Sequence, residues 1–350
     1  SDRLERYSLA EGLGVTDEAG KYLAFRDAVS GLEYLRPFSN LVEQGISVEL
    51  DAYRCHVFLD FRDLEEDERG RLRELEAELA GGGTDSIELA LGELDHRDIL
   101  EPFAEVFSVE ILGSVIAEDR EDDEEIVGEV LDAYVGLLEA IFLREAIDDP
   151  DFDSIVLALR RDIEHVQRID AAATAATRSP EGFEIRLGIW SWILLRRLGG
   201  ITGRGHARER AAEWFDGRLF ARVLERTLAE LGGPENRPRR VVESVRLLLE
   251  IDGWWVEADD GIDVGRLLER LTTRDPGRTS LGINRWDGEL WYRAEAMEEL
   301  LVWLELSASI GARRVPGGEE AVENALNRLR RAHAAGDYRV STLTAALEPR

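Results

Sequence analysis

The chain is poor in several residue types, and each scarcity excludes something. Cys55 is the single cysteine, so no intrachain disulfide can form and a reducing compartment is the default setting. Lys21 is the single lysine, and arginine supplies the other basic groups. Bases are scarce altogether: 43 Lys and Arg stand against 73 Asp and Glu, a formal net charge of -30. A field of that sign repels phosphate backbones, which argues against nucleic acid and anionic membrane as partners. Long apolar runs are missing too. The most apolar stretch, residues 183–198, is interrupted by Arg186, Arg196 and Arg197 and falls short of the roughly 20 residues that span a bilayer. Nothing at the start resembles a secretory signal, so a cytoplasmic setting is expected. The chain begins at Ser1 without an initiator methionine, which fits either a processed chain or a piece of a longer one.

Hydrophobic residues make up 44% of the 350, ample for one large or two ordinary domains. Charged residues reach 33%, above the usual share of about 25%. So acidic and lysine-poor a surface suits a salt-rich cytoplasm, where hydrated carboxylates keep a protein dissolved. A high-GC coding bias with solvated helix faces gives the same composition.

The periodicity divides the chain into a small antiparallel β opening (residues 1–64) and a helical domain (65–350), so the expected class is mainly α, a helical array with that β opening at its N-terminus. Lys21 to Asp27 and Gly31 to Arg36 flank the turn signal Val29-Ser30-Gly31 and predict a hairpin. Ile46, Val48 and Leu50 alternate with polar neighbours, as do Tyr53, Cys55, Val57 and Leu59, which predicts further strands and a buried Cys55 thiol. From Leu64 the period becomes helical. Leu72, Leu75 and Leu79 form one stripe ended by Gly81-Gly82-Gly83, with Thr84 or Asp85 as the next cap. Pro102 is placed in a first helical turn, and Asp153 caps a helix bearing Ile155, Leu159 and Ile163. Further helices are predicted around 183–198, 207–231, 239–251, 262–272, 294–310 and 318–335, separated by Gly, Pro and Asp.

No phosphate-binding Gly-x-x-x-x-Gly-Lys-Ser/Thr loop, no His-Glu-x-x-His and no Gly-x-Ser-x-Gly occurs. Gly199 to Gly205 is glycine-rich but follows a helix, so it reads as a C-cap and loop rather than a phosphate cradle. The histidines at 56, 96, 165, 206 and 333 have no ligand spacing, and the acidic stretch Asp148 to Asp153 lacks the glycine and the final glutamate of a calcium loop. No metal and no cofactor is therefore expected. One cluster carries chemistry. Asn284, Arg285, Trp286, Asp287, Gly288, Glu289, Trp291 and Tyr292 gather aromatic, amide and acidic groups, with Glu295 just beyond. Sugar sites stack pyranose rings on flat aromatic faces and hold hydroxyls with carboxylates or amides. The candidate carbohydrate-binding set is thus Trp254, Asn284, Trp286, Asp287, Trp291 and Glu295, set against burial of the tryptophans in a core. Asp287-Gly288 is a strong turn signal, so Trp286 and Trp291 should flank a tight hairpin. Asp287, Glu289 and Glu295 could also supply the two carboxylates of a hydrolase.

Phe25-Arg26-Asp27-Ala28-Val29-Ser30-Gly31-Leu32-Glu33-Tyr34, then Gly45-Ile46-Ser47-Val48-Glu49-Leu50, then Tyr53-Arg54-Cys55-His56-Val57-Phe58, resembles the closing β domain of α-amylase family glycoside hydrolases. Leu281-Gly282-Ile283-Asn284 with Asp287-Gly288, Trp291 and Glu295 is similar to helical extensions of large members of that family. The first match covers about residues 21–61. The family's catalytic carboxylates sit on an upstream (β/α)₈ barrel, and no such βα alternation occurs here, so none of them carries over. The resemblance implies a non-catalytic, C-terminal accessory region of an α-glucan-acting hydrolase or transferase, whose partners are an upstream catalytic domain of the same parent chain and α-glucan. Two other readings stand beside it. One is a helical interaction or scaffold protein unrelated to sugars; the other is a self-contained helical enzyme with a site at Asn284 to Glu295.

Overall fold

The computed structural model describes residues 7–48, 55–117, 123–148, 150–172, 180–203, 207–256, 262–312 and 317–347. The protein is mainly α-helical with a small antiparallel sheet near the N-terminus. It divides into two compact units, Ser1–Arg97 and Asp98–Arg350.

The first unit runs α1 (Leu9–Leu13), β1 (Lys21–Asp27), β2 (Glu33–Pro37), α2 (Phe38–Gln44), β3 (Phe58–Glu65), α3 (Arg71–Leu79), β4 (Gly83–Thr84) and α4 (Ile87–Asp95). Its sheet has the order β3-β1-β2-β4, antiparallel throughout. Strand alternation sends Leu23 and Phe25 to one face, where they pack on Ala10, Phe38 and Leu41. Tyr22, Ala24 and Leu35 face the other way, against Leu72, Leu75 and Ile87. The central strand is thus covered on both faces. That is why this unit extends beyond residue 64: the sheet's second face is closed by α3 and α4.

The β1–β2 hairpin forms as expected, organised by the fully buried Asp27. Its carboxylate accepts bonds from the Val29 and Val57 amides, both at 3.1 Å, and from the Ser30 hydroxyl at 2.9 Å, and lies 2.8 Å from the His56 ring Nδ1. The remaining strands differ from expectation. Ile46 to Val48 belong to no strand, and Leu50 and Tyr53 lie outside the described residues. The third strand starts at Phe58, because its pairing with β1 runs from Asp27↔Phe58 to Lys21↔Glu65. Cys55 precedes it and is exposed, not buried. Between them Pro37 opens, and Gly45 closes, the unforeseen helix α2.

The second unit begins with α5 (Arg97–Val106), α6 (Val109–Ile116), α7 (Asp123–Glu145), α8 (Phe152–Ala172) and α9 (Pro180–Leu195). After a 3₁₀ turn at Leu198–Thr202 come α10 (Ala207–Gly217), α11 (Phe220–Glu230), α12 (Arg237–Ile251), α13 (Val264–Thr273) and α14 (Asp275–Leu281). A hairpin, β5 (Asn284–Trp286) and β6 (Glu289–Trp291), leads into α15 (Ala294–Gly311), α16 (Gly318–Ala335) and α17 (Val340–Leu347). The core centres on α9, whose Leu187, Trp190, Trp192, Ile193 and Leu194 are buried around much of its circumference. A helix apolar on all sides must be enclosed by others, and α6, α8 and α12 pack against it. No described helix is long and apolar enough to cross a membrane.

Several local signals act differently from their sequence reading. Ser86, rather than Thr84 or Asp85, caps α4, and the Asp151 carboxylate takes the Ser154 amide at the start of α8 in place of Asp153. Pro102 lies inside α5. Leu219, at a φ of 62°, splits the expected 207–231 helix into α10 and α11. Asp275-Pro276-Gly277, read as a separator, opens α14 because proline is tolerated at the first helical positions.

Candidate functional sites

The predicted late hairpin is present. Asp287 and Gly288 both take positive φ, 51° and 83°, the geometry of a two-residue turn whose twist matches the flanking strands. The register pairs Asn284 with Trp291 and Trp286 with Glu289. Because side chains alternate across a strand, those four residues share one face. Trp286 is 69% exposed, and its ring meets that of the half-buried Trp291 at 6.1 Å and 69°. The result is a ledge of two indoles at an angle, with an amide and a carboxylate beside them. On the other face Leu290 packs into the main core.

The hairpin is held at its base. The Tyr292 amide donates to the Tyr338 carbonyl at 3.0 Å, Trp291 bridges to Arg339, and the Tyr292 hydroxyl lies 3.1 Å from His333 Nδ1. Burial raises the pKa of the Tyr292 hydroxyl, so it remains a neutral hydrogen-bonding group. Glu289 accepts from the Ser341 hydroxyl at 3.0 Å.

Of the candidate carbohydrate residues, the structure brings together Asn284, Trp286, Asp287 and Trp291, and places Glu295 in the first turn of α15. Trp254 does not join them. It is 1% exposed and its indole nitrogen donates to Ser307 on α15, about 20 Å along that helix from its start at 1.5 Å per residue. The ring is core, packed edge-on to Trp255 at 6.4 Å. Asp287, Glu289 and Glu295 are all exposed. A hydrolytic pair works across a bond shielded from bulk water, and these three carboxylates are open to solvent.

A second site emerges that no sequence pattern announces. A cavity of about 820 Å³ opens where α8, α9, α10, the segment after α12 and the end of α15 meet. Its inner wall carries a buried charge network. The Arg196 side chain, 6% exposed, reaches Asp252 at 2.9 Å and Asp162 at 3.7 Å, while Arg197 donates to the same Asp162 at 2.8 and 2.9 Å. Two cations and two anions balance, as buried ions must. The Arg196 guanidinium also lies 4.3 Å from the Trp192 ring centre and 5.5 Å from that of Trp255. Two glycines permit the close approaches that shape the wall. A Cβ at Gly311 would fall 1.8 Å from the Trp255 ring, and one at Gly253 would fall 2.2 Å from the Arg208 guanidinium carbon. Tyr134, whose hydroxyl burial pushes far above its ordinary pKa, sits fully enclosed within range of Arg197 and Asp162.

The glycine-rich segment beside this cavity behaves as a turn. Gly199 lies against the Ala207 carbonyl, where a Cβ would be 1.8 Å away, so a packing need explains it; Gly205 and His206 lie outside the described residues. Among the described residues no group of three or more His, Cys, Asp or Glu is arranged to hold a metal ion. No protein-family model, no curated protein and no solved structure matches this chain.

Proposed function

We propose that this chain is a non-catalytic accessory region of an α-glucan-acting glycoside hydrolase or transferase, with an auxiliary sugar surface on the β5–β6 hairpin. The observation that supports it most is the shared face of Asn284, Trp286, Glu289 and Trp291. Stacking platforms for pyranose rings need flat, accessible aromatic faces beside hydroxyl-binding groups, and an indole 69% exposed on a pinned turn meets that need. The partner in this proposal is an upstream catalytic domain of the same parent chain, working in a cytoplasmic, reducing setting compatible with an exposed free thiol at Cys55.

Calorimetric titration with maltoheptaose tests it. Loss of one stacking ring is worth about 1–2 kcal/mol, so Trp286→Ala should weaken binding roughly 5- to 30-fold with an unchanged unfolding midpoint. Wild-type chain that ignores maltoheptaose, or binds it equally well without Trp286, sinks the sugar surface. The reading frame encoding the parent protein tests the rest: a (β/α)₈ barrel should precede this region.

A further inference from the structure

We infer that the cavity beside Trp255 binds a small organic oxyanion, a sugar-sized molecule whose phosphoryl or carboxylate group is held by Arg208. The site is separate from the hairpin ledge and does not depend on it. A volume of about 820 Å³ is within the range of small-molecule pockets.

The distribution of charge decides what it takes. On the cavity wall Arg196 and Arg197 are matched by Asp252 and by Asp162 buried behind it. Among the described residues the remaining carboxylates of the lining, Asp148 and Asp151, are exposed at its edge, and Asp151 is engaged in capping α8. Arg208 is different. It is half-buried, its guanidinium rests on the Gly253 backbone, and it makes no ion pair among the described residues. Carboxylates are abundant in a chain of net charge -30, so an unmatched arginine on a cavity wall is not for want of partners. Arg208 also borders a second cavity of about 260 Å³, where Arg266, Arg270 and Arg274 outnumber Glu209 and Glu250. The excess of positive charge therefore lies on the second cavity's side of Arg208, while the other charges of the first are matched. A guanidinium fork matches an oxyanion in two parallel hydrogen bonds, and the low local dielectric strengthens them. Ile155, Ile201 and Trp255 leave an apolar wall for the rest of the ligand, with the Ser154 side chain at its margin.

Calorimetry on the full chain with glucose 6-phosphate, glucuronate, glucose and inorganic phosphate tests the assignment and separates the two oxyanion sources. At least one of the charged sugars should bind tenfold or more tighter than glucose. Arg208→Gln should weaken that binding tenfold or more at an unchanged unfolding midpoint. Asp151→Asn keeps the helix cap but removes a rim charge, so it should tighten binding about two- to fivefold at low salt. That gain is one a purely structural role for Arg208 would not give. Trp286→Ala should leave all of these values alone. The inference is overturned if none of the probes binds at about 10 mM. Arg208→Gln binding like wild type, or glucose binding as well as its charged derivatives, overturns it too. Inorganic phosphate binding as tightly as glucose 6-phosphate would refute the role given to the apolar wall.

Discussion

Arg196→Met isolates the energetics of the buried network. The methionine keeps an apolar stem between Trp192 and Trp255 but removes the charge. Asp252 then loses the partner 2.9 Å away while its side chain remains 7% exposed. Asp162 does not, because Arg197 still holds it. An uncompensated buried carboxylate costs about 3–5 kcal/mol. In a unit of roughly 250 residues each kcal/mol moves the midpoint by about 2–4 °C, so the variant should melt some 6–20 °C below wild type. Urea titration at fixed KCl, followed by tryptophan fluorescence and far-ultraviolet dichroism, measures the free energy directly. The double variant Arg196→Met with Asp252→Leu removes both charges and should recover most of the loss. A single-variant loss below about 1 kcal/mol would mean that Asp252 is hydrated in solution, and the network reasoning would fail. So would a double variant less stable than the single one.

Other outcomes follow from individual contacts. Hydrogen bonds from His56 first, and then from the Val29, Ser30 and Val57 groups, hold the Asp27 carboxyl well below the usual carboxylate range despite its burial. A depressed folded-state pKa contributes stability that is complete above the unfolded value near pH 4 and is lost as pH falls below it. Asp27→Asn should therefore flatten the acid limb of stability against pH between about pH 4 and 2, and an acid limb like that of wild type contradicts this account. Gly311→Ala puts a methyl where the Trp255 ring now lies, 1.8 Å from its nearest atom, and should cost about 1–3 kcal/mol with a red-shifted emission. Gly128→Ala, exposed on α7 with nothing within 4 Å, is the opposite case and should stabilise by roughly 0.5–1 kcal/mol in the same titration.

What could be read beforehand was whatever rests on local rules. The helices of the second unit announce themselves by three-four spacing, and α16 occupies the expected 318–335. The late hairpin was legible because Asp287-Gly288 suits a turn that needs two positive φ angles. Helix α2 was not, since seven residues hold too few turns to show a period, although Pro37 and Gly45 mark its ends. Strand β3 slipped because alternation from Tyr53 to Leu59 is equally good in either frame of pairing, and only β1 decides the register. Trp254 and Trp255 show the deeper limit. Adjacent residues after α12 face different surroundings, one sealed in the core and one on a cavity wall, and nothing local ranks them. The cavity itself draws on residues from Ile147 to Gly311, so its signal is spread over separate segments. The only advance hints were an arginine pair ending an apolar helix and a glycine directly before two tryptophans.

The anchoring of the hairpin has a consequence for any use of the ledge. Eight residues, Asn284 to Trp291, carry its chemistry, but Tyr338 and Arg339 fix its attitude through a backbone bond and a bridge. The segment between α16 and α17 thus works as a clamp on a hairpin some fifty residues earlier in the chain. Shortened before Tyr338, the protein would retain every ledge residue but lose both anchors. The same arrangement makes Trp286 and Trp291 reporters of that end, dimming or shifting when the clamp opens while the tryptophans around Arg196 stay silent.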